Sequence, residues 1–162
     1  MNEQEFIARY AGIYEHSPWV AEGVASIAAD ITDVNRIAEL MADCVDNADS
    51  EKQVTLIRSH PDLAGKAQIA GELTAESTEE QTSAGLHKCT RLEYERFQAL
   101  NESYKEKFGF PFVMAVRGSS CAEILEVFSK RLKNDETVEF ETALAEIHKI
   151  ARLRLGALKA KA

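Results

Sequence analysis

The chain has 162 residues, of which 45% are hydrophobic and 28% charged, and its formal net charge is −8 at pH 7. This length and composition predict a globular protein with a buried core and exclude an intrinsically disordered chain. The acidic balance argues against nucleic acid and anionic membranes as partners, and no apolar run approaches the length of a transmembrane helix.

The cysteines and the two ends of the sequence indicate the cellular compartment in which the protein works. Cys44, Cys89 and Cys121 are widely spaced and form no CxxC pair, which argues against a zinc ribbon or a thioredoxin-like motif. We expect all three to be reduced, small, buried side chains. The N-terminus lacks an apolar secretory core, and the C-terminus is not a Ser-Lys-Leu peroxisomal address. These features predict a cytoplasmic protein.

Apolar residues at helical spacing predict helices from the first residues onward. We expect the first helix near 3–14, and a second that restarts after Ser17 with Pro18 in its first turn. The stretch DVNRIAELMADCVDN predicts a third helix. Ser50 with Gln53 fits a capping box that opens the fourth.

The second half of the chain repeats this pattern. Capping boxes are expected at Ser77/Glu80, Thr90/Glu93 and Ser120/Glu123. A long helix is expected to end at Gly109, and a final helix to cover about 138–158. The apolar stretch FGFPFVMAVRG, residues 108–118, contains Pro111 and does not suit a continuous helix. The sequence therefore predicts a single all-α domain over residues 1–162, with about seven to nine helices and one extended apolar loop near 108–118.

The stretch RSHPDLAGKAQ, residues 58–68, places a histidine directly before a proline. A residue before proline is disfavoured in helical conformation, so His60 should end one helix. Pro61 would then occupy the first turn of the next helix, and Asp62 would complement its dipole. Helix termination does not require an imidazole, whereas a histidine with an ordinary pKa of about 6.5 is suited to moving protons. His60 is therefore a candidate catalytic residue, with helix punctuation as the alternative.

The segment TAESTEEQTSAGL offers a second group of polar side chains. Ser77, Glu80, Gln81 and Ala84 share one helix face by their spacing. Capping by Ser77 and Glu80 explains the same residues without a ligand. The two roles are compatible.

Arg117 follows directly on the apolar run, and its guanidinium is suited to holding a carboxylate or an imide-like edge. An ion pair with an acidic side chain is the alternative. The backbone groups of residues 112–116 must pair either with a ligand or with another protein segment. The chain has neither an HExxH motif nor a cysteine pair at ligand spacing, so we expect no metal.

Five blocks of the sequence form a recognisable set. They are YEHSPWVAE (14–22), HPDLAGKA (60–67), LTAESTEEQTSAGL (73–86), LNESYKEKFGFPFVMAVRG (100–118) and EIHKIARLRL (146–155). In these blocks and in their order the chain resembles the 2-oxo-4-hydroxy-4-carboxy-5-ureidoimidazoline (OHCU) decarboxylases of uric acid breakdown. The resemblance implies an all-helical homodimer without cofactor that decarboxylates OHCU to (S)-allantoin.

The resemblance also implies a site. His60 matches the catalytic histidine, and we expect Glu80 to act with it, either by fixing its protonation state or by handling the amidine nitrogen of the substrate. The substrate-binding positions implied are Pro61, Ser77, Gln81, Phe112, Val113, Met114, Ala115, Val116 and Arg117. A non-catalytic helical module that binds a ureide is the competing interpretation, and an acidic scaffold protein is a third. His60 and Glu80 distinguish them, since a pure binder needs no proton-active pair.

Overall fold

A computed structural model describes residues 1–65 and 70–160. In these ranges the chain forms eight α-helices with defined bounds, one short 3-10 helix (Leu86–Lys88) and no β-strand. The α-helices are α1 Glu3–Tyr10, α2 Trp19–Ala28, α3 Val34–Asp46, α4 Ser50–Arg58, α5 Ala75–Ser83, α6 Arg91–Phe108, α7 Cys121–Arg131 and α8 Glu136–Ala160. The predicted all-α class and number of helices are confirmed. None of the helices so described combines the length and apolar character needed to cross a membrane.

The chain divides into two compact units. The first comprises residues 1–60 and 147–162, and the second comprises residues 61–146. One boundary between them therefore falls at the peptide bond from His60 to Pro61, inside the histidine–proline motif.

The core of the first unit lies between α1, α2 and α3, with apolar side chains from α4 and the end of α8. Its most deeply buried members include Phe6, Val20, Ile37, Met41, Val45, Leu56, Ile57 and Ile147. Each large apolar side chain buried in this way contributes about 1.5–3 kcal/mol. Helices α2 and α3 approach closely at Gly23, where a Cβ atom would lie 2.9 Å from the Sγ of Cys44.

Helix ends in the first unit differ from the prediction by a few residues. Helix α1 ends at Tyr10 rather than near residue 14. Helix α4 is capped by Asp49, whose side chain accepts from the backbone N–H of Lys52, so the predicted box opened by Ser50 is wrong. Asp is as good an N-cap as Ser, and here it precedes Ser50 by one residue. Gln53 instead donates to the carbonyl of Val45 at 2.9 Å.

In the second unit, an aromatic cluster anchors the extended apolar loop. Gly109 ends α6 in the left-handed conformation (φ 76°), as its position predicted, and the chain then runs without helix through residues 111–116. The ring of Phe112 stacks on that of Phe128 with centroids 3.9 Å apart, and Tyr104 meets Phe112 edge-on. The predicted extended loop is therefore confirmed, and its apolar side chains face into the core.

A buried polar cluster fixes the same loop. Glu139 accepts from the Nε of Arg131 at 2.9 Å and from the hydroxyl of Tyr104 at 2.6 Å. The Nη1 of Arg131 donates to the carbonyl of Val113 at 2.6 Å, and its guanidinium lies 4.4 Å from the ring centroid of Phe112. Burial and the bond to Glu139 raise the pKa of Tyr104 above its ordinary value, so Tyr104 stays a donor.

The expectation of three reduced cysteines is wrong in this structure. Cys89 and Cys121 form a disulfide with their Cα atoms 6.0 Å apart, while Cys44 carries a free thiol. The two paired residues are separated by 32 positions in sequence, and the packing of α7 against α6 brings them together. Spacing along the chain does not reveal such a pair.

Candidate active site

His60 follows directly on the end of α4. The helix ends at Arg58 with Ser59 as its C-cap, and the backbone N–H of His60 still donates to the carbonyl of Ile57 at 3.2 Å. The prediction that the helix stops before Pro61 is confirmed. The imidazole is 8% exposed, and its Nδ1 lies 2.9 Å from the carbonyl oxygen of Leu56. Because a carbonyl only accepts, Nδ1 carries the proton, and Nε2 is left with the lone pair.

Burial lowers the pKa of His60 to about 4, which keeps the ring neutral at physiological pH. The hydrogen bond to the Leu56 carbonyl and the carboxylate of Glu15 oppose this effect, while the guanidinium of Arg154 adds to it. His60 is thus a neutral imidazole with a fixed tautomer, rather than a group that is half protonated near neutral pH.

Glu15 and Arg154 form a buried ion pair in the same unit. The Nη2 of Arg154 donates to the Oε2 of Glu15 at 3.2 Å, and its Nη1 donates to the carbonyl of Gly12 at 3.1 Å. The hydroxyls of Ser17 and Ser59 both donate to the backbone carbonyl of Glu15 at 2.8 Å. Sequence reasoning assigned no role to Glu15 or Arg154. Glu15 lies in the block YEHSPWVAE and Arg154 in EIHKIARLRL, and this membership is the signal by which they could have been found.

A second hydrogen-bonded chain in the first unit also has no counterpart in the sequence-based prediction. The Nε2 of His148 lies 2.9 Å from the Oδ1 of Asp46, which as a carboxylate oxygen accepts, and its Nδ1 lies 2.8 Å from the hydroxyl of Tyr14. The two contacts place the ring of His148 between a carboxylate and a phenolic hydroxyl. Burial raises the pKa of Tyr14 above its ordinary value.

In the second unit, residues 62–65 form a tight turn instead of the helix start predicted for Pro61 and Asp62. Ala64 takes a left-handed conformation (φ 51°), which an L-residue adopts only under constraint. A Cβ atom at Gly65 would lie 2.8 Å from the Cβ of Asp62. Residues three apart in an α-helix have Cβ atoms about 5–6 Å apart, so residues 62–65 do not follow a helical course. Lys66 and Ala67, which complete the block HPDLAGKA, lie outside the described residues.

Side chains from α5 and α6 hold this turn. Gln81 accepts from the N–H of Ala64 at 3.1 Å and donates to the carbonyl of Asp62 at 3.2 Å. Gln98 donates to the carbonyl of Ala64 at 2.7 Å, and Asn101 donates to that of Leu63 at 2.9 Å. The amide of Gln81, predicted as a substrate contact, therefore already positions the turn.

The polar face of α5 is confirmed, but the predicted cap is not. Ser77 and Gln81 are 4% and 2% exposed, and Glu80 is half-buried on the same side. Thr74 is the N-cap and accepts from the N–H of Ser77 at 3.1 Å, so Ser77 is the third helical residue rather than the cap. The predicted box of Ser77 and Glu80 is wrong because Thr74 offers the same hydroxyl three residues earlier.

Arg117 and the loop before it have protein partners. The Nη2 of Arg117 lies 3.9 Å from the Oε1 of Glu79, and both side chains are exposed, so this ion pair contributes little. The carbonyl of Val113 is occupied by Arg131, and the N–H of Ala115 donates to the Oε1 of Glu146 at 3.2 Å. These two backbone groups pair with other protein segments, which was one of the two alternatives from the sequence.

The candidate residues are distributed over both units. His60 belongs to the first unit, and the second unit carries Pro61, Ser77, Glu80, Gln81 and residues 112–117. Within the ranges 1–65 and 70–160, three side chains of metal-ligand type cluster. Their potential ligand atoms, from Cys89, Glu93 and Cys121, lie within 4.8 Å of one another. The two sulfurs of this group are joined as a disulfide.

The chain is similar to a known family along almost its whole length. A family model described as OHCU decarboxylase matches residues 1–156. The 2-oxo-4-hydroxy-4-carboxy-5-ureidoimidazoline decarboxylase of Haloferax volcanii is 43% identical over 156 residues, which cover 96% of this chain and 90% of the relative. The uric acid degradation bifunctional protein of Bacillus subtilis is 39% identical over 158 residues, 96% of this chain but 31% of that protein.

Two solved structures share the fold. A crystal structure described as (S)-allantoin synthase is 30% identical with a TM-score of 0.78, and the match covers 98% of this chain and 51% of that chain. A crystal structure of an OHCU decarboxylase in the presence of (S)-allantoin is 23% identical with a TM-score of 0.75, covering 93% and 96%. At that lower identity the second likeness supports the fold alone.

Proposed function

The chain belongs to the OHCU decarboxylase family, and we propose that it carries out the family reaction with His60 and Glu80 as its catalytic residues. It is a carboxy-lyase of urate degradation that acts on OHCU. The observation that carries this conclusion is the family match over residues 1–156, supported by relatives of similar length such as that of Haloferax volcanii. The residue roles and the stereochemical control described below are our proposals.

The substrate supplies its own electron sink, so the proposed reaction needs no cofactor. The carbon that loses CO2 bears a hydroxyl group, and its ring neighbour is an amidine-type C=N carbon. Electrons released by decarboxylation flow into this C=N bond and give an enol-like intermediate. Protonation of the ureido-bearing carbon on one face, with loss of the hydroxyl proton, then gives (S)-allantoin. The protein must orient the carboxylate, move protons and select the face.

His60 is proposed to exchange the proton of the substrate hydroxyl or of the intermediate. The Nδ1–H is committed to the carbonyl of Leu56, which leaves the lone pair of Nε2 for the substrate. The low pKa keeps this nitrogen unprotonated and able to accept a hydrogen bond at neutral pH. A correctly placed acid–base group typically contributes about 10²–10⁴-fold to the rate.

Glu80 is proposed to relay a proton to the amidine nitrogen, which takes up the electrons of the breaking bond. Ser77 and Gln81 are proposed to hold the ring and ureido edges, together with Pro61 and the residues Phe112, Val113, Met114, Ala115 and Val116. Gln81 retains a second N–H on Nε2 for this purpose beyond its bond to Asp62.

Arg117 is proposed to hold an anionic or carbonyl oxygen of the substrate. Its exposed pair with Glu79 costs little to replace. Tight binding of the departing carboxylate would stabilise the ground state, whereas catalysis needs a stronger interaction in the transition state. The ureido oxygen is therefore the better partner for Arg117.

The test is to generate OHCU from urate enzymatically and to follow its optical signal with and without the protein. We expect faster loss of OHCU and formation of (S)-allantoin, read as a circular dichroism signal of one sign. Loss at the spontaneous rate with racemic product would instead support the ureide-binding module. His60→Asn protein is the matched reference, because it removes the proposed base and retains a polar side chain of similar reach.

Four further properties are proposed from the family match: the domain organisation, the location, the oligomeric state and the partner. Residues 1–162 are proposed to form one OHCU decarboxylase-like domain, supported by the family match over residues 1–156. The chain is proposed to be cytoplasmic and to form a homodimer. Its binding partner, apart from the second copy, is proposed to be the small-molecule substrate. Sedimentation should then give twice the mass of one chain, and cell fractionation should recover the enzyme with cytoplasmic markers. A monomer at enzymatic concentrations would overturn the proposed dimer.

A further inference from the structure

The disulfide between Cys89 and Cys121 joins two segments of the second unit that the reaction is proposed to use. Cys89 ends the short connection that follows α5, the helix of Ser77 and Gln81. Cys121 directly follows the 109–120 loop, which carries Arg117. The Sγ of Cys121 also lies 3.4 Å from the carbonyl of Gly85, a left-handed glycine just after α5. The bond therefore fastens the loop to the end of α5.

Both sulfurs lie at the start of a helix of more than two turns. Cys121 is the first residue of α7 after its N-cap Ser120, and Cys89 directly precedes Thr90, the N-cap of α6. The positive end of a helix stabilises a thiolate and favours thiol–disulfide exchange. The surroundings thus suit two cysteines that react with each other and with small thiols.

We propose that Cys89 and Cys121 are a reversible redox-modification site, a dithiol–disulfide couple that exchanges with small-molecule thiols and disulfides of the glutathione type. The oxidised state holds the 109–120 loop against the end of α5, and the reduced state releases it. The consequence for catalysis rests on the proposed function, but the chemistry of the couple does not.

Reduction of the protein disulfide needs no reactant other than two small-molecule thiols. A small thiolate attacks the Sγ of Cys89, which is half-buried, whereas Cys121 is only 9% exposed. Cys121 leaves as a thiolate at the start of α7, and a mixed disulfide forms on Cys89. A second small thiolate attacks the sulfur of the small molecule, which releases its disulfide and the thiolate of Cys89. Two small thiols are oxidised as one protein disulfide is reduced.

A cation bound by the reduced pair together with Glu93 is the rival interpretation of this cluster. The potential ligand atoms of these three residues lie within 4.8 Å of one another. The Oε1 of Glu93, however, accepts from the N–H of Thr90 at 2.9 Å as part of a capping box. A cation here would also face the positive ends of two helices. Both observations favour the redox couple.

The primary experiment counts thiols in Cys44→Ala protein, which removes the free thiol and leaves the pair. The protein is equilibrated with mixtures of reduced and oxidised glutathione, then trapped and analysed by intact mass and peptide mapping. We expect the fraction of Cys89–Cys121 disulfide to fall from complete to absent across the series. Two free thiols at every ratio, or a disulfide that no mixture reduces, would overturn the proposal. So would stoichiometric Zn²⁺ bound by the reduced protein that blocks reoxidation.

The second measurement tests whether the bond fastens the loop. Hydrogen exchange of oxidised and reduced Cys44→Ala protein is compared, with Cys44→Ala/Cys89→Ser as a reference that has no disulfide. We expect faster exchange in residues 84–90 and 109–120 after reduction, and a Tm lower by about 5–10 °C. Equal hydrogen-exchange rates in the oxidised and reduced states would contradict the proposal that the disulfide holds the loop.

Activity is measured last on the same samples. A several-fold rise in KM on reduction, with kcat nearly constant, is expected if the loop holds substrate. Thiol counts and exchange rates need no substrate, so the redox proposal and the proposed function fail separately. Unchanged kinetics alongside a loop that loosens would overturn the link to catalysis and leave the modification site standing.

Discussion

The Nδ1 of His60 donates to the carbonyl of Leu56 across 2.9 Å, one turn back along the chain at the end of α4. This carbonyl lies in the last turn of α4 and also accepts from the backbone N–H of Ser59 at 3.2 Å, and its contact with His60 fixes the tautomer of the imidazole. The end of the helix and the proposed proton chemistry therefore depend on the same arrangement. Pro61 ends the helix, and a carbonyl in the last turn of that helix orients the imidazole of His60.

Replacement of His60 by Asn should lower kcat by about 10²–10⁴-fold, because the Nε2 lone pair is lost. Binding of allantoin, measured by calorimetry, should change little, since an amide can still donate to the carbonyl of Leu56. The matched control is His87→Asn at an exposed position, which should retain full turnover. Full activity of the His60→Asn enzyme would exclude a proton role for this residue.

Stability should depend on pH through His60 in a defined window. The folded pKa is about 4 and the unfolded value is about 6.5, so the unfolded chain binds more protons between these values. The free energy of unfolding is therefore expected to fall by about 3 kcal/mol as the pH drops from 6.5 to 4, and to level off below that. Urea denaturation at several pH values measures this slope. In His60→Asn protein the free energy of unfolding should depend less steeply on pH, by an amount that corresponds to nearly one bound proton. An identical slope would contradict the lowered pKa of His60.

Replacement of Glu80 by Gln separates chemistry from capping. Because Thr74 is the N-cap of α5, loss of the Glu80 charge should leave Tm within about 2 °C while turnover falls by at least tenfold. Thr74→Ala is the converse control: it should cost about 1 kcal/mol of stability and leave kcat nearly intact. A Glu80→Gln enzyme with normal turnover would limit Glu80 to a structural role.

The sequence was most informative where one residue decides the local structure. Gly109 ends α6, Thr90 and Glu93 form the predicted capping box, and Ser120 caps α7, because each pattern involves residues only a few positions apart. The caps of α4 and α5 were misplaced where an equivalent side chain, Asp49 or Thr74, lay nearby. Local patterns do not choose between equally good caps.

Contacts between distant positions were invisible for a different reason. The pair of Glu15 and Arg154 spans 139 positions, and Cys89 and Cys121 are separated by 32. Neither pair has a spacing that a helix imposes, so only the packing of helices creates it. The lowered pKa of His60 belongs to the same class, since it follows from burial by the fold. The sequence marked His60 as a candidate with an ordinary pKa of about 6.5, and the lowering of that pKa required the fold.

The ion pair of Arg131 and Glu139 should be the most costly polar contact to break in the second unit. Arg131→Met leaves the buried carboxylate of Glu139 without its guanidinium and releases the carbonyl of Val113, so we expect a loss of about 3–5 kcal/mol. Urea denaturation measures it. The control is Arg91→Met, which breaks an exposed pair with Glu95 and should cost at most about 0.5 kcal/mol. Equal effects of the two substitutions would contradict the role of burial.

The turn after Pro61 should be sensitive to one methyl group. Gly65→Ala places a Cβ atom 2.8 Å from the Cβ of Asp62, a contact that forces the turn to open. Gln81, Gln98 and Asn101 then lose part of their bonds to residues 62–64, so we expect a loss of about 1–3 kcal/mol and lower turnover through displaced Pro61. The same substitution at Gly156, exposed on α8 with nothing within 4 Å of its Cβ position, should instead raise stability by up to about 1 kcal/mol. Thermal and urea denaturation of both proteins measure whether each substitution lowers or raises the free energy of unfolding. A Gly65→Ala protein as stable as the parent would mean that the turn tolerates the methyl group and does not constrain Pro61.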